Sequence, residues 1–170
     1  MEVFIATFLK MFFIMTPFFV VSIFITVTNE ASKEEKRALA IKVTIAVLII
    51  CLVILFFGKY IFAIFGVTLD AFRIGAGALL FLSAVDLVRG SKDEKKVENS
   101  DISELAVVPL ALPITIGPGT IGILLVMGAS FENTASLVIG SLALVLAVIL
   151  VGVMLYLSTH IEKFLGKQGL

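Results

Sequence analysis

The sequence predicts an all-α, polytopic transmembrane helix bundle of two inverted three-helix repeats, with helices 1 and 4 broken and the sixth helix absent from the chain. Three observations lead there: apolar residues gathered into five long runs, short polar connections between them, and prolines inside the first and fourth. Sixty per cent of the 170 residues are apolar and 15% are charged, whereas a soluble domain carries about a quarter charged residues. Apolar runs of about 18 residues or more call for a bilayer as solvent.

The runs cover residues 3–27, 38–65, 69–88, 105–131 and 134–159, each long enough to cross about 30 Å of hydrocarbon at 1.5 Å per residue. The first begins almost at the N-terminus, but it is longer than the apolar stretch of a secretory signal and follows Glu2 rather than Lys or Arg. It is expected to be a retained span. Ser32-Lys-Glu-Glu35 before the second run and Asp101-Ile-Ser-Glu104 before the fourth have the spacing of a capping box, in which a hydroxyl or carboxylate and a Glu satisfy orphan N–H groups. Helix starts are expected at both.

Orientation follows from the bias of Lys and Arg in short loops near the span ends. With the N-terminus outside, Lys33, Lys36, Arg37 and Lys42, then Arg89, Lys92, Lys95 and Lys96, then Lys163 and Lys167 fall on the cytoplasmic side, ten of the 13 basic residues. The connection between the last two runs holds none. The chain reads as one transmembrane domain over 1–170, with a first repeat at 1–90, a cytoplasmic loop at 91–104 and a second repeat at 105–170. That second repeat has two runs where the first has three. A sixth span is therefore expected beyond Leu170, or from a partner.

Formal net charge is zero, with 13 basic and 13 acidic residues, so no basic surface or arm points to nucleic acid. The single cysteine, Cys51, lies within an apolar run and reads as a small packing group, with neither a disulfide framework nor metal-ligand spacing around it. No Ser/His/Asp set, nucleotide loop or acidic cluster offers a catalytic constellation.

The prolines carry the functional signal. Pro17 interrupts the first run in Met15-Thr-Pro-Phe-Phe19, and Pro113 and Pro118 interrupt the fourth in Leu112-Pro-Ile-Thr-Ile-Gly-Pro-Gly-Thr120. Proline removes a helix hydrogen bond, and a broken span persists only where protein or a water-filled cavity satisfies the freed groups. The two breaks lie three spans apart, an odd number, so the units they open have opposite orientations. Interrupted segments at matching places in inverted halves mark the midplane site of a transporter. At Gly117-Pro-Gly-Thr120 a half-helix would point its N–H groups and positive dipole end at a carboxylate, with the Thr115 and Thr120 hydroxyls as further donors. Thr16 and Pro17 supply the counterpart. The expected substrate-binding set is Thr16, Pro17, Thr115, Gly117, Pro118, Gly119 and Thr120; the competing reading of each break is a structural kink packed in protein.

Val108-Pro-Leu-Ala-Leu-Pro-Ile-Thr-Ile-Gly-Pro-Gly-Thr120, Phe65-Gly-Val-Thr-Leu-Asp-Ala-Phe-Arg-Ile-Gly-Ala-Gly-Ala-Leu-Leu80 and the Pro17 break resemble the MarC family of integral membrane proteins, which includes small neutral amino acid transporters of the SnatA type. The resemblance runs along essentially the whole chain and implies about six spans in two inverted halves. The family's first motif commonly reads Asn or Asp, Pro, a hydrophobe, then Gly. Here Thr16-Pro17-Phe18-Phe19 puts a hydroxyl and a bulky ring in the outer positions, which implies a different substrate size or identity.

Other features have plainer readings. Asp70 with Arg73, and Asp86 with Arg89, are i,i+3 partners at the two ends of the third run, each pair adding a few tenths of a kcal/mol. Lys10 can snorkel to the outer interface. Ser136, Gly140, Ala143 and Ala147 on the fifth run, and Ala71, Gly75 and Ala78 on the third, read as small-residue packing faces. His160, the only histidine, is assigned no chemistry.

The resulting expectation is an inner-membrane secondary transporter of small neutral solutes, with amino acids such as glycine or alanine implied by the resemblance. It would work by alternating access at a midplane site, with no bound cofactor beyond a coupling ion, Na⁺ or H⁺. Its partners are a small-molecule substrate and the lipid bilayer, with a homo-oligomer also compatible. A drug or metabolite exporter, whose cavity Phe18 and Phe19 would line, and a non-transporting scaffold subunit are the alternatives. Tags placed within 29–37 and 90–103 should be protected in intact cells while one within 131–134 is labelled from outside; labelling at Lys95 with protection at 131–134 would reverse the orientation.

Overall fold

The computed structural model describes residues 2–89 and 115–158. They form six helices: α1 (Glu2–Ile14), α2 (Pro17–Val27), α3 (Lys33–Phe65), α4 (Leu69–Arg89), α5 (Pro118–Ser130) and α6 (Thr134–Tyr156). The first apolar run is thus two helices, α1 and α2, separated at Met15 and Thr16. Three segments among the described residues are long and apolar enough to cross a membrane: residues 2–27 across the break, Lys33–Gly58 and Thr134–Tyr156, with mean hydropathies of 2.2, 3.0 and 2.9. The expected helix start at 101–104 lies outside the described residues.

Helix ends follow from local chemistry. Ser32 and Glu35 form the reciprocal capping box: the Glu35 N–H donates to Ser32 Oγ at 3.2 Å and the Ser32 N–H to Glu35 Oε2 at 2.8 Å. Asn133 caps α6 by accepting from the Ser136 N–H at 2.8 Å, and Thr68 Oγ1 accepts from the Ala71 N–H at 3.3 Å at the start of α4. Inside the helices, hydroxyls that would be stranded in lipid donate back to the carbonyl one turn earlier, Thr44 to Ala40 at 2.7 Å and Ser141 to Leu137 at 2.8 Å, and Thr28 at the C-cap of α2 donates to Phe24 at 2.7 Å.

The bundle packs on one continuous apolar cluster. α3 contributes Leu39, Ala40, Val43, Val47, Cys51 and Leu55, a stripe three and four residues apart, while α6 contributes Gly140, Ala143, Leu144, Ala147, Val148, Val151 and Leu155. Met11 from α1 and Val20 and Phe24 from α2 join the same cluster, their helices packing against α6. The two long helices are antiparallel. Arg37 stacks 5.1 Å over the Tyr156 ring at one end, and Leu55, Tyr60 and Ala63 share a groove with Asn133, Thr134 and Leu137 at the other. The turn into α3, with its basic residues, therefore lies on the opposite side from the α5–α6 connection.

Glycine sets the closest approach. A Cβ on Gly128 would run into the Leu55 carbonyl oxygen, and one on Gly58 would come 2.9 Å from that of Leu125. The helices α3 and α5 thus touch backbone to backbone, each through a Leu-x-x-Gly step, with their chains running in opposite senses. A Cβ on Gly152 would strike Thr44, tying α6 to α3. The stripe expected on the third run packs against none of the described residues. Gly75 and Gly77 have nothing within 4 Å of a built Cβ, and Ala71 and Ala78 are exposed; α4 instead presents Phe72 and Ala76 to Gly122 of α5. The neighbouring face points away from α5, because a helix of 3.6 residues per turn can turn only one side to a given partner. On α6 the expected face holds, with Gly140, Ala143 and Ala147 buried.

Gly128→Ala should cost about 1–3 kcal/mol of stability, because an added methyl meets rigid backbone. Gly75→Ala, in open space, should be neutral within about 0.5 kcal/mol. Thermal unfolding in detergent compares the two; equal effects would rule out the α3–α5 contact.

Candidate functional site at the helix breaks

Both breaks have the same local design. Each half-helix carries proline at its first position, Pro17 in α2 and Pro118 in α5, and each N-cap, Thr16 or Gly117, makes no side-chain capping hydrogen bond. The first backbone bonds back to the caps come from Val20 to Thr16 at 3.1 Å and from Ile121 to Gly117 at 3.1 Å. A helix leaves its first N–H groups without partners of its own, and proline has none to offer. The N–H groups of Phe18 and Phe19, and of Gly119 and Thr120, are therefore the ones left without intrahelical acceptors. They sit at the positive ends of their helix dipoles, an arrangement that receives a carboxylate.

The surroundings of the two breaks differ. Met15 and Ile116, each two residues before its proline, belong to the same buried cluster, and α1 touches α5. Thr115 and Thr120 are each 2% exposed, and Gly119 is buried with them. Pro17 is buried too, but Thr16 is exposed, as are Phe18 at 71% and Phe19 at 48%. The fold gathers Thr115, Gly119 and Thr120 into the interior around the start of α5 and leaves the Thr16 hydroxyl apart from them. Gly117 is half-buried. The half of the fourth run that contains Pro113 lies outside the described residues, as do His160 and the side chains of Asp86 and Arg89.

Thr16 carries a feature the sequence reading missed. Its backbone is left-handed, φ 45° and ψ 58°, the only non-glycine residue with positive φ among those described. That conformation costs a β-branched residue about 1–3 kcal/mol and persists only where packing on both sides dictates it. Met15 before it and Val20 after it are fully buried, and its backbone is bonded on both sides, its N–H donating to Phe13 at 3.0 Å and its carbonyl accepting from Val20 at 3.1 Å. Asn and Asp tolerate this conformation well, which gives a backbone reason for the amide or acid before proline in the motif the chain resembles.

The remaining features behave as local chemistry. Arg73 donates to Asp70 at 3.0 Å, with side chains 51% and 85% exposed, so the pair is a surface partner at the start of α4. Lys10 is exposed and Cys51 buried. No buried side-chain nitrogen or oxygen lacks a hydrogen-bond partner among the described residues.

Thr16→Asn and Thr16→Gly should each stabilise the fold by about 1 kcal/mol by relieving the left-handed strain. Thermal unfolding in detergent measures it; a loss in both variants would show that the hydroxyl, not the backbone, fixes the break.

A family model described as MarC family integral membrane protein matches residues 1–170. The chain is 36% identical to a UPF0056 membrane protein of Aquifex aeolicus over 98% of its own length and 81% of the relative's. It is 34% identical to one from Methanocaldococcus jannaschii over 100% and 85% of the two chains. A UPF0056 membrane protein of Buchnera aphidicola shares 30% over 100% and 82%. No solved structure matches. With its full-length match and several apolar helices of membrane-crossing length, the chain is an integral membrane protein that belongs to the MarC family.

Proposed function

We propose that the protein is a secondary transporter of small neutral solutes in the inner cell membrane, with its N-terminus outside and small amino acids such as glycine and alanine as substrates. One observation carries this reading: a buried half-helix start at Gly119 and Thr120 whose backbone donors lack intrahelical acceptors, with a second proline-headed half-helix in the same bundle. A substrate carboxylate would be received by the N–H groups of Gly119 and Thr120, assisted by the Thr115 and Thr120 hydroxyls. Carbonyls freed at the breaks would face the ammonium or a coupling cation. Gly119 lets ligand and backbone meet without an intervening Cβ. Pro17 and Pro118 hold the helices open at these points, and the two halves would rock about the site. Nothing in this scheme breaks a covalent bond, so no catalytic residue is assigned.

A scaffold subunit is the second reading, and the close burial of Thr115 and Thr120 favours it, since a packed break needs no ligand. Exporter chemistry is less favoured, because Phe18 and Phe19 are exposed rather than enclosed with the α5 start.

Full-length protein in proteoliposomes should accumulate labelled glycine or alanine, and the dependence on a Na⁺ gradient or on an uncoupler identifies the coupling ion. Absence of uptake for either solute under every gradient would favour the scaffold. Within an active protein, Thr120→Val and Thr115→Val should each weaken apparent affinity about fivefold, the effect of losing about 1 kcal/mol of hydrogen bonding. Gly119→Leu should abolish transport. Normal transport by both Thr variants would place the site elsewhere.

A further inference from the structure

At the end of the bundle opposite Arg37 and Tyr156, α3 and the α5–α6 connection enclose an open groove of about 770 Å³. Its floor is Leu55 and Gly128, at the close crossing of α3 and α5. One wall is aromatic, Phe56, Phe57 and Tyr60 from α3, with the Phe57 and Tyr60 rings 6.1 Å apart and tilted by 51°. The rim is polar, and Glu132 is the one carboxylate among the residues that line it. Glu132 is exposed, and no described residue forms an ion pair with it. The neighbouring Asn133 oxygen is already engaged in capping α6.

Tyr60 stands two residues past Gly58, where the membrane-crossing apolar segment of α3 ends, and Glu132 two residues before Thr134, where that of α6 begins; the ends of such segments are where amphipathic aromatic rings collect. A carboxylate above a wall of aromatic faces is the chemistry that recognises an ammonium group, through charge pairing and cation–π attraction together. Below that rim the lining turns apolar, with Leu55, Phe56 and Leu137. Cationic head above and hydrocarbon below describes a phospholipid rather than a dissolved ion. We infer that this groove seats a phospholipid with an ammonium headgroup, such as phosphatidylethanolamine, in the leaflet that the α5–α6 connection faces. Glu132 pairs with the ammonium, Phe57 and Tyr60 flank it, and an acyl chain runs down along Phe56 and Leu137.

The chain contains no tryptophan, so Phe56→Trp places a single reporter in the wall. Full-length protein carrying this change is reconstituted into phosphatidylglycerol vesicles containing acyl-brominated phosphatidylethanolamine or, at the same mole fraction, acyl-brominated phosphatidylglycerol. Quenching should show a two- to fivefold preference, on the order of what one cation–π contact supplies, for the ethanolamine lipid. Adding Glu132→Gln, a change at an exposed position, should bring the two quenching curves together while circular dichroism stays unchanged. Millimolar tetramethylammonium should not relieve quenching; relief would assign the groove to a dissolved cation and overturn the lipid. Equal quenching by both lipids in the parent overturns the inference, and so does exclusion of both, the result expected if a second copy or another helix fills the groove. Because transport is not read, a failure here leaves the proposed transport site standing, and the reverse also holds.

Discussion

In hydrocarbon no water is available to pair with a backbone N–H or C=O, and every feature of this bundle follows from meeting that requirement internally. Long unbroken helices meet it at no cost, which is why α3 can run 33 residues through a sequence of Ile, Leu, Val and Phe. Side-chain hydroxyls meet it by bonding to their own helix, as Thr28, Thr44 and Ser141 do. Within the described apolar runs, the breaks at Pro17 and Pro118 leave N–H groups without intrahelical acceptors. Both adjoin the shared core through Met15 and Ile116; the start of α5 is buried at Gly119 and Thr120, whereas Phe18 and Phe19 at the start of α2 are exposed.

Lipid also removes the usual hydrophobic drive between helices, since a leucine is as well solvated by acyl chains as by a neighbour. Close contact must then come from shape. The reciprocal pairing of Leu55 with Gly128 and of Leu125 with Gly58 brings two backbones together at the points where side chains are missing, and many weak dispersion contacts accumulate. Large apolar side chains that face outward, such as Ile49, Phe57 and Leu142, need no partner in the chain. The α4 face carrying Ile74 and Phe81, 76% and 69% exposed, belongs to the same class.

Period and composition made the helices legible: the ends expected at 65, 69 and 134 coincide with those of α3, α4 and α6. Ser32 and Glu35 were readable because a capping box is local, set by four residues and no tertiary contact. Asn133, three residues before Ser136, had the same local signature and could have been found by it. The packing faces were less legible. Small residues occur on both the buried face of α6 and the outward face of α4, and only the position of α5 decides between them. Gly58 and Gly128 looked like isolated glycines in apolar helices, because their meaning depends on each other across 70 positions of chain.

The two breaks also show where local pattern and tertiary demand part company. Glycine adopts a left-handed backbone freely, yet Gly117 takes an ordinary extended conformation, φ −78° and ψ 176°, while Thr16 takes the left-handed one. Conformational freedom therefore does not explain Gly117, which is half-buried between buried Ile116 and the start of α5. Thr16, by contrast, is exposed. The strained backbone is what turns the chain from α1 into α2. The two proline-headed helix starts thus differ in backbone, the N-cap of α2 being strained and that of α5 not. A break that holds strain and one that does not would respond unequally to a ligand, as the proposed transport cycle, opening first to one side and then to the other, requires.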